Sequence, residues 1–294
     1  MQSLRDVTVV VVTRDSAHCL ESLHALLSRC EHVIVSDNAS GDGTADQARD
    51  RWPQARVLRH TVNLGFGAAN NRALAQVRTT WALLLNPDCV LTTSALEALV
   101  KASVDMPDAA IVAPQLVGPK GRKEVNYRWP QTVWRSTGPG AGGPACVGFV
   151  CGAAMLFRLS AFTGVGFFDE AFFLYYEDDD LCLRLFQQQR PMVVVPGISA
   201  THLSRGSVRG GSPWRSEYTR GFHHAQSKLI FVSRHRSLAD ALRLRHRLIA
   251  LTVLSLPFRV LAFSPRLIAR MWGRLRGLLQ WQRPRAPALS GGVR

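Results

Sequence analysis

The sequence predicts an α/β protein, a mostly parallel sheet flanked by helices, followed by a basic amphipathic helical segment. Three observations carry that expectation. Short runs of Val, Ile and Leu without polar interruption alternate with segments of helical period, as in βαβ units whose strands are buried on both faces. Polar residues stand directly after those runs, where open parallel sheets bind their ligands. The charge is lopsided: residues 1–180 hold 19 acidic and 16 basic side chains, whereas residues 181–294 hold 2 and 20.

Val7 to Thr13 is a continuous β-branched run and reads as the first buried strand. Leu20, Leu23, Leu26 and Leu27 place a helix between Ala17 and Cys30. Glu31 to Ser36 reads as the second strand, ending at Asp37-Asn38, and Gly41 to Thr44 as a turn into a helix from Asp46 to Arg51. Ala55 to Arg59 follows as a short strand, Gly67 to Val77 as a helix, and Trp81 to Leu85 as a buried strand ending at Asn86-Pro87-Asp88. From 114 to 146 Gly, Pro, Lys and Arg are dense and the apolar period is lost, which predicts a long mobile loop near a site, 118–145 included. Order is expected again from Val147 to Phe157, a helix from Asp179 to Gln188 and a strand from Met192 to Val195. Residues 204–216 read as another loop. Beyond Asp240 apolar residues surround a helix that Pro257 ends or kinks, with further apolar stretches from Val260 to Phe263 and Leu267 to Trp281, all punctuated by arginine.

With 47% hydrophobic and 19% charged residues, the 294-residue chain can bury a sizeable core, which excludes global disorder. The net charge of +15 points to a polyanionic partner: an anionic membrane surface, a phosphorylated substrate or nucleic acid. Apolar faces flanked by arginines, with Trp272 and Trp281, suit helices lying in a membrane interface. Basic residues set among long apolar runs argue against nucleic acid. No run reaches the ~18 apolar residues of a spanning helix. The N-terminal MQSLRDVTVVVVT reads as a strand rather than a signal peptide. The six cysteines form no CxxC pair, so buried reduced thiols are expected rather than a structural zinc site.

Glu177, Asp178, Asp179 and Asp180 directly follow FFLYY. Adjacent carboxylates beside aromatics repel one another, and the apolar neighbours should bury at least one, raising its pKa toward that of a base. A helix N-cap is the plainer alternative. Asp88, after a strand and a proline, is a candidate hard-metal ligand, with His202 able to complete the site. Asp37-Asn38 reads either as an Asx turn or as a nucleoside contact. Gly65-Phe66-Gly67-Ala68-Ala69-Asn70 departs from the dinucleotide fingerprint at its last glycine, so nicotinamide binding is not expected.

In order, VTVVVVTRD, VIVSDNASGDGT, NLGFGAANNRAL, LLLNPDCVL, CGAAMLF, GFFDEAFFLYYEDDDLCLRL and the later His202 resemble the family-2 inverting glycosyltransferases of the GT-A fold, over residues 7–235. Within them the chain is similar to rhamnosyltransferase-like enzymes of bacterial cell-surface polysaccharide assembly. The resemblance implies a GT-A domain over 1–236; the residues themselves suggest a membrane-associating helical segment over 237–285 and a disordered tail over 286–294. The resemblance also implies that Thr13 and Asp37 contact the nucleoside and that Asn38, Asn63, Gly65, Asn71 and Asn86 belong to the donor site, where Arg14, by its own chemistry, can stack on a base or pair with phosphate. Asp88 matches the last position of the metal motif, here Asn86-Pro87-Asp88, for Mg²⁺ or Mn²⁺, with His202 beside the metal or the diphosphate. Glu177-Asp178 matches the catalytic pair, with Asp178 as general base, and Asp169-Glu170 the acceptor or sugar side. The family usually has Tyr-Asn where this chain has Arg14-Asp15. The implied activity is metal-dependent inverting transfer of a sugar, rhamnose being one candidate, from a nucleotide-diphosphate donor to a lipid-linked or saccharide acceptor at the cytoplasmic face of the bacterial inner membrane. A UDP-hexose donor and an inactive scaffold are the alternatives left open.

Overall fold

The computed structural model describes residues 4–125, 127–128, 140–203, 212–261 and 264–282. The chain divides into two compact units, one running to Phe168 and resuming at Leu181, the other formed by Asp169–Asp180 and the helices after residue 210.

In the first unit, β1 (Val7–Thr13), β2 (His32–Asp37), β3 (Arg56–Arg59) and β4 (Trp81–Leu85) alternate with α1 (Leu20–Leu27), α2 (Thr44–Arg51) and α3 (Phe66–Leu74). Every residue of β1 and β4 is buried, the burial that an unbroken apolar strand requires. β5 (Cys89–Val90), α4 (Thr93–Asp105) and β6 (Ile111–Val117) follow. Thr92 opens α4 by accepting the Ala95 N–H on its hydroxyl at 3.1 Å. Then come β7 (Tyr127–Arg128), β8 (Ala145–Val147), β9 (Phe149–Val150), β10 (Ala154–Arg158), α5 (Glu177–Gln187) and β11 (Met192–His202). The nine-stranded sheet has the order β3-β2-β1-β4-β10-β6-β11-β5, with β8 also on β11. β3, β2, β1 and β4 are mutually parallel, and β10 runs antiparallel to both of its neighbours. One apolar cluster around Val9, Leu83 and Leu156 fills one side of the sheet, and another around Val10, Leu84 and Phe157 the other.

The second unit contains α6 (Pro213–His235), α7 (Leu238–Leu261) and α8 (Pro265–Leu279), whose buried residues include Ala225, Leu229, Ala241, Leu248 and Leu278. Among the described residues no helix is long and apolar enough to cross a membrane.

Several expectations change. The strand expected over 192–195 continues to His202, because the shift of register between Val195 and Ser199 absorbs Pro196, which has no N–H to donate. Residues 213–216, expected as loop, open α6: Pro213 stands in its first turn, where a fixed φ fits and the missing N–H costs nothing. α6 joins α7 and α8, so the helical unit starts before the boundary at 236–237 read from the sequence. Pro257 lies inside α7 rather than ending it; Val253, whose carbonyl loses its partner, is exposed. The expected loop over 118–145 begins with an ordered turn, Gly118 N–H to the Arg122 carbonyl at 2.9 Å, while residues 129–139 lie outside the described residues. So does the tail over 286–294. All six cysteines are free, but Cys146 is exposed and Cys151 only half-buried.

Candidate active site

The order β3-β2-β1-β4 reverses direction at β1, which makes the crevice beyond the carboxyl ends of β1 and β4 the topological switch point of the sheet. Thr13 and Asp37 end β1 and β2 and pair in register. Asp37 is buried, and its carboxylate accepts the Thr13 hydroxyl at 3.0 Å, the Ser40 hydroxyl at 2.6 Å and the Ser40 N–H at 3.1 Å. The Asx turn and a rigidly held carboxylate are thus one arrangement. The Arg14 guanidinium donates to the Asn38 carbonyl at 2.9 Å and lies 3.4 Å from Asp15, leaving other N–H groups at this edge.

Asn38 donates its amide N–H to the Gly65 carbonyl at 3.1 Å and accepts the Leu64 N–H at 2.7 Å. Asn63 accepts the Gly65 N–H at 3.0 Å, and Gly65 takes a φ of 90° to start α3, a conformation that favours glycine. Asn71 donates to the Phe168 carbonyl at 2.8 Å and accepts the Phe168 N–H at 3.1 Å. These three asparagines therefore shape backbone around the crevice.

Asp88 and His202 stand 114 positions apart in sequence. The antiparallel pairing of His202 with Cys89 brings them together, and the Leu203 N–H donates to the Asp88 carbonyl at 2.9 Å. Asp88 is 2% exposed, and its Oδ1 lies 3.7 Å from His202 Nε2. Asn86 is half-buried, its backbone N–H tied to the Ala153 carbonyl at 2.9 Å. A carboxylate oxygen and an imidazole nitrogen fit a divalent cation: ligand atoms sharing one ion at about 2.1 Å stand about 3 Å apart, so a small shift suffices. Among the described residues no group of three or more such ligands occurs. The pair therefore suits an ion that completes its shell with phosphate oxygens and water.

The acidic turn opens α5, where the helix dipole offsets part of the repulsion. Its four carboxyls have different surroundings. Glu177 is buried, and its Oε2 meets no hydrogen-bond donor among the described residues. Burial first, then the charges of Asp178 and Asp179, push the Glu177 carboxyl well above the usual range. Asp178 is half-buried and accepts the Asp179 N–H at 3.0 Å. Asp180 is buried against His235 Nε2 at 2.7 Å. Asp169, expected on the acceptor or sugar side, accepts the Ala171 N–H at 2.9 Å and faces Arg234 at 3.3 Å, while Glu170 is exposed.

Sequence reasoning passed over the residues that aim this turn. Tyr175 and Tyr176 have φ values of 69° and 67°, a left-handed pair that costs side-chain-bearing residues of order 1–3 kcal/mol each. α6 holds them: His224 meets both rings edge-on, His223 stacks on Phe173 at 4.3 Å, and Ser227 donates to the Leu174 carbonyl at 2.8 Å. The available signal was the placing of His223, His224 and Ser227 on one helix.

Comparison with known proteins accords with this geometry. Residues 8–163 match the family model described as "Glycosyl transferase family 2". The chain is 30% identical over 269 residues to the N-acetylglucosaminyl-diphospho-decaprenol L-rhamnosyltransferase of Mycobacterium tuberculosis (strain CDC 1551 / Oshkosh), covering 77% of this chain and 84% of that protein. It is 34% identical over 95 residues to the rhamnosyltransferase WbbL of Escherichia coli (strain K12), 32% of this chain and 34% of that one. Among solved structures, the mannosyltransferase PcManGT from Pyrobaculum calidifontis, in complex with GDP-Man and Mn²⁺, superimposes with a TM-score of 0.57 at 16% identity over 93% of this chain and 86% of that one.

Proposed function

The chain belongs to glycosyl transferase family 2, and on that premise we propose that it transfers a sugar, with inversion, from a nucleotide-diphosphate donor to a lipid-diphosphate-linked acceptor of surface polysaccharide synthesis. The observation that carries the reading is Asp88, buried beside His202 and three residues past the end of β4. The relative with a decaprenol-diphosphate acceptor supports the acceptor class and rhamnose as the first donor to test.

Asp37, with Thr13, presents a fixed carboxylate to the nucleoside, and Arg14 supplies donors to base or phosphate. Asp88 and His202 would hold Mg²⁺ or Mn²⁺, which neutralises the departing diphosphate. Asp178 takes the proton of the acceptor hydroxyl as that oxygen forms its bond to the anomeric carbon. The bond from that carbon to the diphosphate oxygen breaks on the opposite face, so the configuration inverts. Glu177, whose carboxyl burial pushes well above the usual range, leaves Asp178 as the more solvated acid of the pair. The arginine-flanked helices of the second unit support peripheral attachment to the cytoplasmic face of the inner membrane.

The test is incubation with Mn²⁺, deoxythymidine-diphosphate-rhamnose and prenyl-diphosphate-linked N-acetylglucosamine, with the product analysed by mass and anomeric configuration. One added deoxyhexose of inverted configuration is expected. Retained configuration, or no transfer from this or a uridine-diphosphate donor, contradicts the reading.

A further inference from the structure

In the second unit α6 and α8 touch backbone to backbone. A Cβ on Gly221 would overlap the Arg270 carbonyl and crowd the Arg274 nitrogen, and one on Gly273 would overlap the Tyr218 carbonyl. Basic residues recur every four positions on each helix, Arg220, His224 and Lys228 on α6 and Arg266, Arg270 and Arg274 on α8. The glycine contact brings the two rows alongside. Glu217 answers one end, 3.0 Å from Arg220 and 3.8 Å from Arg270. Lys228 and Arg274 are half-buried and, among the described residues, make no ion pair or hydrogen bond. The charges acting on Lys228 are Arg274 and Arg247, and on Arg274 it is Arg270, cations all. Partly desolvated like charges without a carboxylate destabilise one another until an anion enters. The neighbours that bear on His224 are likewise cations, Lys228, Arg270 and Arg274. Tyr175, two residues before Glu177, meets the His224 ring edge-on at 5.7 Å, which sets the basic row of α6 beside the acidic turn.

We propose that Lys228, Arg270 and Arg274 bind the diphosphate of the lipid-linked acceptor, a site that rests on the glycosyl-transfer reading and places the acceptor sugar toward Asp178. A diphosphate carries more charge than the phosphodiester of an ordinary lipid headgroup and better matches three clustered cations. Trp272, which lies between Arg270 and Arg274 in sequence, and Leu254 and Phe258 are exposed apolar residues of the same unit, suited to the prenyl chain.

The test is titration of the full chain with farnesyl diphosphate in neutral detergent and EDTA, which removes metal-dependent binding at the donor site. Wild type should bind and melt higher when liganded. Lys228→Gln/Arg274→Gln should bind at least about tenfold more weakly, and Lys228→Gln alone should also weaken. Arg243→Gln, which removes a surface charge paired with Asp240, should bind like wild type. The unliganded double variant should melt at or above the wild-type temperature, since repulsion is relieved. Phosphatidylglycerol vesicles, held by many exposed arginines, should bind wild type and double variant alike. Unchanged farnesyl diphosphate affinity in the variants, or a lowered melting temperature without ligand, overturns the assignment. So does parallel loss of vesicle binding, which marks a general lipid contact. None of these measurements needs a donor or turnover, so a chain that binds but does not transfer refutes the function alone, and one that transfers with unaltered variant binding refutes the site alone.

Discussion

Glu177 and Asp178 are adjacent carboxyls with different surroundings, one buried and one in contact with solvent. Asp178→Asn keeps the shape and removes the base, so transfer should slow by roughly 10²–10⁴-fold while donor binding persists; turnover near wild type in a rate assay would remove Asp178 from that role. Glu177 carries a pH signature. Its folded pKa lies above the ordinary carboxyl value of 4.5. The native state therefore keeps a proton that the unfolded chain gives up, and stability falls as pH rises from about 4.5 toward the folded pKa. Glu177→Gln should melt higher than wild type at pH 8 and alike near pH 4, and identical melting curves at both would contradict a buried neutral carboxyl. Much of this scale was legible: the apolar block before the acids implied that one is buried. The tasks of Asn38 and Asn71 were not, because their partners are backbone atoms 27 and 97 positions away.

At the scale of elements, legibility followed burial. β1 and β4 have the ends expected for them because strands buried on both faces need unbroken apolar runs. α4, β6 and α6 received no expectation, α6 because Pro213 reads as a loop until its first-turn position is seen. The glycines of α6 and α8 were equally silent, since their meaning is the approach of another backbone. Gly273→Val would press side-chain atoms onto the Tyr218 carbonyl with no flexible neighbour to give way. It should cost about 2–3 kcal/mol in denaturant unfolding. Gly142→Ala, with open space around its Cβ position, serves as the control and should cost little.

At the scale of the molecule, the order of short motifs carried the family, while the charge asymmetry located the basic helices without assigning their anion. α7 exposes Leu254 at 68% and Phe258 at 72%, close in sequence to Arg259. With ~1 kcal/mol per Lys or Arg near an anionic leaflet, a handful suffices for attachment. The full chain should sediment with phosphatidylglycerol vesicles at low salt, leave them as salt rises, and ignore phosphatidylcholine; salt-independent or headgroup-independent sedimentation would contradict peripheral electrostatic attachment. The central claim is a nucleotide-sugar site built on Asp88, and calorimetric titration with deoxythymidine diphosphate and uridine diphosphate, with and without Mn²⁺, tests it most directly. The account predicts Mn²⁺-dependent binding of one of them by wild type and its loss in Asp88→Asn. Binding of neither by the folded protein, or Mn²⁺-dependent binding unchanged in Asp88→Asn, would contradict it.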